Sequence, residues 1–149
     1  MKKILILNGI NVNMFGHRNP ELYGTITYAE INETVKYTAK MLDVEVEIFQ
    51  TNFEGEIVEK IHEAYFEKVD GVIINPAGWT NHHKGVRDAL EILKVPWIEV
   101  HMGNIFKKHN GTPVGMTTAL ATGVVLGLGA KSYTIALQAL VEMLNEKDK

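Results

Sequence analysis

Lys3-Ile4-Leu5-Ile6-Leu7-Asn8-Gly9, near the start of the chain, is the stretch that decides the fold. Ile4 to Leu7 is apolar at every position, which reads as a strand buried on both faces rather than one that alternates towards water. Such a strand needs cover above and below, and the rest of the chain supplies it. Thr27 to Leu42 reads as a helix, with Thr27 as N-cap and Glu30 three residues on to close a capping box. Val44 to Phe49 alternates apolar and acidic residues and forms a second strand, ahead of the polar Gln50-Thr51-Asn52. Glu54 to Lys68 has helical spacing through Ile57, Ile61, Ala64 and Tyr65. Gly71 to Ile74 is a third strand, His82 to Leu93 a helix, Pro96 to Val100 a fourth strand and Ala121 to Leu126 a fifth. A helix from Lys131 to Asn145 closes the pattern. Strands alternating with helices predict an α/β protein: a doubly wound, five-stranded parallel sheet in one three-layer domain over residues 1–149.

Composition agrees with that class and excludes others. The chain has 149 residues, 46% hydrophobic and 22% charged, enough to bury a core without disulfides or metal. A formal net charge of −3 gives no electrostatic reason to expect nucleic acid or an anionic membrane as partner. With no cysteine, disulfides, thiolate nucleophiles and cysteine zinc sites are excluded. The opening Met1-Lys2-Lys3-Ile4 has the look of a signal peptide, but its apolar run breaks at Asn8-Gly9, and no membrane-length segment follows. A cytoplasmic location is the expectation.

Two polar loops, Gly9 to Gly24 and Met102 to Pro113, exceed ordinary strand-to-helix connections and read as binding loops or lids. Ligands of open α/β sheets bind outside the carboxyl ends of the strands. Those ends carry Asn8 and Asn11, Thr51-Asn52, Asn75, and Glu99 with His101. Glu99 and His101 are two apart on one strand and face the same side. The carboxylate can therefore hold one ring nitrogen and leave the other free as a general acid. Asn8-Gly9-Ile10-Asn11 lacks the Lys-Ser/Thr of a phosphate loop and the G-x-G-x-x-G of a dinucleotide site. Gly127-Leu128-Gly129 comes late and is expected to allow close packing before the last helix. Asn8 and Asn75 stand where a phospho-acceptor domain places carboxylates, and nothing signals a flavin. His17, His62, His82, His83 and His109 form no ligand pair, so no metal is expected, while a flavodoxin-like flavin site stays open on the residues alone.

Four stretches together resemble the type II 3-dehydroquinate dehydratase family. They are Leu7-Asn8-Gly9-Ile10-Asn11-Val12-Asn13-Met14-Phe15-Gly16-His17-Arg18-Asn19-Pro20-Glu21-Leu22-Tyr23-Gly24, Gln50-Thr51-Asn52-Phe53-Glu54-Gly55-Glu56, Asn75-Pro76-Ala77-Gly78-Trp79-Thr80 with Arg87-Asp88-Ala89, and Glu99-Val100-His101-Met102-Gly103-Asn104-Ile105. The closing Gly127-Leu128-Gly129 and Tyr133 fit as well. The resemblance implies a flavodoxin-like fold, no cofactor and no metal. The implied reaction is anti elimination of water from 3-dehydroquinate, through an enolate, to 3-dehydroshikimate in the shikimate pathway of aromatic amino-acid biosynthesis. It also implies roles: Tyr23 as base, Arg18 as the cation favouring its phenolate, Asn11 holding a water against the enolate oxygen, and His101, oriented by Glu99, as acid. Asn75 and the backbone near Met102 and Gly103 would take the substrate carboxylate. Asp88 would serve the site of a neighbouring subunit in a trimer-based homo-oligomer, commonly of twelve chains. Holding a phenol of ordinary pKa ~10 half-ionised at neutral pH takes about 4 kcal/mol. One cation ~4 Å away supplies a gross attraction of about that size. Arg18 and Tyr23, five residues apart, meet only if their loop folds over the site.

The departures fall on binding rather than on proton transfer. Ile10 stands where the family has Pro, and Asn19 where it has Glu. Asn81 follows Thr80 where a substrate-binding His is expected, Gly103 replaces a Ser, and Thr112 stands in the place of an Arg. Losing one charged hydrogen bond costs ~1.5–3 kcal/mol, enough to change turnover or substrate choice. Two alternatives therefore stay beside the dehydroquinate reading. One is dehydration of a related cyclic β-hydroxy ketone acid; the other is a ligand-binding paralogue without turnover.

Overall fold

A computed structural model describes residues 1–82, 84–108 and 115–149, with the backbone alone at Leu22 and Lys108. In chain order the elements are β1 (Lys2–Ile10), α1 (Pro20–Tyr23), α2 (Tyr28–Met41), β2 (Val44–Gln50), α3 (Glu54–Glu67), β3 (Gly71–Ala77), α4 (Trp79–His82), α5 (Lys84–Leu90), β4 (Trp97–His101), α6 (Ile105–Lys108), β5 (Gly123–Leu126) and α7 (Lys131–Lys147). Single 3-10 turns lie at Val12–Met14 and Thr118–Leu120.

The strands form one parallel sheet in the order β2-β1-β3-β4-β5, the flavodoxin-like doubly wound arrangement, in a single domain. Period-two alternation sends the apolar residues of the inner strands to opposite cores. Ile4, Ile6, Ile73, Ile98 and Val100 pack against Ile31 and Val35 of α2 and Ala136, Leu137 and Leu140 of α7. Leu5, Leu7, Val72 and Ile74 pack against Ile57 and Ile61 of α3 and Val86 and Leu90 of α5. Burying each such side chain contributes about 1.5–3 kcal/mol, so β1, apolar on both faces, anchors both layers at once.

Local chemistry sets the ends of the elements. The capping box of α2 forms as its spacing predicts: the Glu30 N–H donates to Thr27 Oγ1 at 3.2 Å, and the Thr27 N–H donates to Glu30 Oε2 at 3.4 Å. At the sheet's carboxyl edge, β1 and β3 stay paired to Ile10 and Ala77, whereas β3 and β4 part after Ile74 and Glu99. Pro76, with no N–H to offer, sits in the stretch of β3 beyond its last pair with β4. The released ends of β3 and β4 frame the space where a ligand can enter.

Two expectations are corrected here. In place of the one helix expected from His82 to Leu93 stand α4, which begins at Trp79 and ends at His82, and α5 from Lys84 to Leu90. Trp79 is buried against the Gly9 backbone, where an added Cβ would lie 3.0 Å from the indole and 2.5 Å from the Pro76 carbonyl oxygen. That packing fixes the helix start, and apolar spacing alone could not show it. Gly127 and Gly129 do not serve close packing: they adopt φ of +84° and +61°, and an added Cβ at Gly129 would meet nothing within 4 Å. They are needed for backbone conformation.

Candidate active site

The carboxyl ends of β1, β3 and β4 and the loop after β1 enclose a cavity of about 280 Å³. Ile10 enters it from β1 and Asn11 from just beyond, Asn75 and Ala77 from β3, His101 from β4 and Met102 from just beyond. Arg18 and Tyr23 reach it from the loop after β1, Thr80, Asn81 and His82 from α4, and Gly103 from the turn after β4.

The His101 side of the cavity is buried and tightly bonded. Glu99 is fully buried, and its Oε2 lies 3.0 Å from His101 Nε2, the pairing expected for side chains two apart on a strand. The Thr117 hydroxyl donates to Glu99 Oε1 and the Thr118 hydroxyl to Oε2. Burial pushes the Glu99 carboxyl up, but the hydrogen bonds from His101, Thr117 and Thr118 outweigh it and hold the group below the usual carboxylate range. An anionic Glu99 accepts from Nε2–H, so Nδ1 is the nitrogen left for a ligand, and it donates when the ring is an imidazolium.

The other side includes ring packing. Arg18 and Tyr23 meet, as a folded-over loop requires: the guanidinium carbon stands 4.8 Å from the centroid of the Tyr23 ring. Phe15, buried in the core, packs on the same ring with centroids 5.9 Å apart. The start of this loop is clamped by polar contacts. Asn11 takes a left-handed conformation, φ +65°, and its N–H donates to Asn52 Oδ1 at 2.9 Å. Gln50 Nε2 donates to the same Oδ1 at 3.1 Å and to the Gly9 carbonyl at 3.2 Å.

Asn75 is held from within. Its Oδ1 accepts the Ala77 N–H, and its Nδ2 donates to the Tyr133 hydroxyl, which itself donates to Asn8 Oδ1. Burial pushes the Tyr133 phenol well above its ordinary value, so it stays a neutral link in this chain. Asn8, expected at the ligand edge, therefore serves the wall behind it.

The family model described as Dehydroquinase class II matches residues 2–141. The chain belongs to this family. It is 49% identical, over 97% of each chain, to a 3-dehydroquinate dehydratase of Pelobacter propionicus. Among solved structures, the type II dehydroquinase of Propionibacterium acnes superposes with a TM-score of 0.90 at 36% identity, over 95% of this chain and 97% of that one. The type II dehydroquinase of Butyrivibrio crossotus gives 0.89 at 36% identity, over 93% and 97%.

Of the residues picked out by resemblance to the dehydroquinase family, Asn11, Arg18, Tyr23, Asn75, Asn81, His101, Met102 and Gly103 all line the one cavity, and Glu99 stands directly behind His101. Asp88 does not line it; on α5, it accepts from Arg87 Nη1 at 3.1 Å. Thr112 lies outside the described residues. Asn81 is partly committed, because its Oδ1 accepts the Gly115 N–H at 3.1 Å. Sequence reasoning missed His82 in the cavity wall, since a helix begun at His82 turns that side chain elsewhere. It also missed Thr117 and Thr118, which nothing local connects to Glu99. Among the described residues no three His, Asp or Glu side chains gather as a metal site would need.

Proposed function

We propose that the chain dehydrates 3-dehydroquinate to 3-dehydroshikimate by anti elimination. The observation that carries this reading is the single cavity shared by the Glu99–His101 pair and the Arg18–Tyr23 pair. Tyr23, as phenolate under the Arg18 cation, removes the proton next to the ketone, and the electron pair passes into an enolate. Asn11 holds a water against the enolate oxygen. His101 Nδ1 gives a proton to the departing hydroxyl as the carbon–oxygen bond breaks, and Glu99 balances the imidazolium charge beforehand. Asn75 and the backbone at Met102 and Gly103 receive the carboxylate. Purified protein mixed with 3-dehydroquinate is expected to develop the absorbance of a conjugated enone; folded protein that gives none refutes the assignment.

A second reading, dehydration of a related cyclic β-hydroxy ketone acid, is favoured by Asn81, which stands where the family has a His and bonds the Gly115 N–H, and by Gly103, which offers no side chain. Deuterium exchange next to the ketone across a panel of such acids separates the two: exchange of dehydroquinate alone rejects the second. The same family membership supports a trimer-based homo-oligomer, of twelve chains in the fullest form, in which Asp88 serves a neighbour's site; sedimentation tests its size. A cytoplasmic setting suits a small-molecule step of the shikimate pathway. No helix among the described residues is long and apolar enough to cross a membrane.

A further inference from the structure

We infer that Thr117 and Thr118 are positioning residues for the acid half of the reaction: their two hydroxyls hold the Glu99 carboxylate in the orientation that presents His101 to the cavity. The inference rests on the dehydratase reading for its kinetic consequence, though not for its geometry.

Glu99 sits in the middle of the sheet, paired with Ile74 of β3 on one side and Val124 of β5 on the other. Neither neighbour offers it a polar side chain. Among the described residues its side-chain hydrogen-bond partners are His101, on its own strand, and the two threonines, which return to it 18 and 19 residues later. Each carboxylate oxygen has one hydroxyl donor, and Oε2 also takes the imidazole. With both oxygens engaged, the carboxylate cannot swing about its terminal bond, and the plane of the His101 ring is set with it.

The short segment carrying the threonines is pinned to the cavity wall. The Gly115 N–H donates to Asn81 Oδ1 at 3.1 Å and the Met116 N–H to the Thr80 carbonyl at 2.9 Å. Gly115 itself has φ +103°, and an added Cβ would lie 2.0 Å from Thr118 Oγ1, so only glycine lets the segment close on Glu99. Thr117 is fully buried. These features place the hydroxyls against one carboxylate from a segment held on both sides of the cavity.

The charge environment makes the hydroxyls consequential. Among the described residues His101 is the titratable group bonded to Glu99, while Arg18, Tyr23 and His82 stand in the cavity that the imidazole lines. Burial opposes the anion, and the donors are what keep it ionised. With a hydroxyl removed, the carboxylate is less stabilised and takes up its proton at higher pH. A protonated Glu99 no longer balances an imidazolium, so turnover fails first on the acid side.

The test uses Thr117→Val and Thr118→Val, which keep the side-chain shape, with Thr117→Ser and Thr118→Ser as rescues. The expected result is a kcat lower by about tenfold at pH 5–6, the scale of a lost hydrogen bond to a charged group. KM is expected to stay within about twofold, the acid limb of the kcat profile to move up, and the Ser variants to recover wild-type behaviour. Carbon-13 shifts of the Glu99 carboxyl, followed through a pH titration, give a readout independent of turnover: its midpoint rises in the Val variants. Val variants with an unmoved Glu99 titration, or Ser variants no better than Val, overturn the inference. A wild-type chain without turnover but with a Glu99 titration that moves in the Val variants refutes the dehydratase reading and leaves the positioning role standing.

Discussion

The two halves of the cavity are built by different physics. Around His101 every polar atom of the orienting carboxylate has a buried donor, supplied by a central strand and a pinned turn. Around Tyr23, which sits on α1, a helix of four residues, the contacts include a ring on a ring from Phe15 and a guanidinium over the ring from Arg18. Stacked contacts of this kind are worth about 0.5–1.5 kcal/mol each and tolerate sliding. Buried charged hydrogen bonds are stiffer and stronger. On the proposed assignment the acid is held by buried hydrogen bonds before a ligand arrives, while the base sits on the loop after β1, where ring packing contributes. Chemistry at the loop should therefore be lost by removing one group, and chemistry at the strand by disturbing a network.

Tyr23→Phe is expected to have the largest effect. It keeps the ring that packs on Phe15 and under Arg18, and deletes only the oxygen that takes the proton. Turnover should fall about 10³-fold, the scale of a lost general base, with the melting temperature nearly unchanged. Steady-state kinetics on 3-dehydroquinate read this directly, and a variant within tenfold of wild type would put the base elsewhere.

Glu99→Gln comes next, at about 10²-fold in kcat, because the imidazole remains but loses the anion that fixes its tautomer. It also carries a stability signature. Glu99 is held below the usual carboxylate range when folded, so its contribution is present above the unfolded-state value and is lost as pH falls through the folded one. Urea midpoints measured from neutral pH downward should show wild type losing this part of its stability on the acid side while Glu99→Gln does not, so that the gap between them closes as pH falls. A gap that widens in acid would mean that the carboxyl is protonated at neutral pH.

Arg18→Lys should cost about tenfold. Lysine keeps the charge but not the flat guanidinium that lies over the Tyr23 ring. Loss of more than about a hundredfold would show that Arg18 bonds a ligand directly and does more than favour the phenolate.

What could be read from the chain beforehand follows the range of each contact. The sheet was legible because β1, β3 and β4 are apolar runs, and the start of α2 because Thr27 and Glu30 are three apart. Glu99 with His101 was legible because strand geometry alone brings residues two apart together. The link from Asn8 through Tyr133 to Asn75 joins residues 125 and 58 positions apart, and no local pattern marks it. The threonines on Glu99 are hidden for the same reason. The base loop is a different case: its residues were found by resemblance, since Arg18 and Tyr23 carry no periodic signal. His82 was lost to a helix boundary, set by how Trp79 packs against Gly9 rather than by hydrophobic spacing.

Between the two halves, at the end of β3, lies the smallest expected effect. Ala77 lines the cavity at φ +52°, a left-handed conformation that its Cβ disfavours by about 1 kcal/mol. Its N–H donates to Asn75 Oδ1, so the unusual conformation goes with fixing the amide beside the bound ligand. Ala77→Gly relieves the Cβ clash but gives the unfolded chain more freedom, which offsets part of the gain. The net expectation is a stabilisation of up to about 1 kcal/mol, seen as a higher urea midpoint with an unchanged slope. A destabilised Ala77→Gly would mean that the Ala77 methyl, packed on the core shared by Tyr23 and α7, contributes more than its backbone costs. The wall between the two halves would then be held from the Tyr23 side of the site as well as from the His101 side.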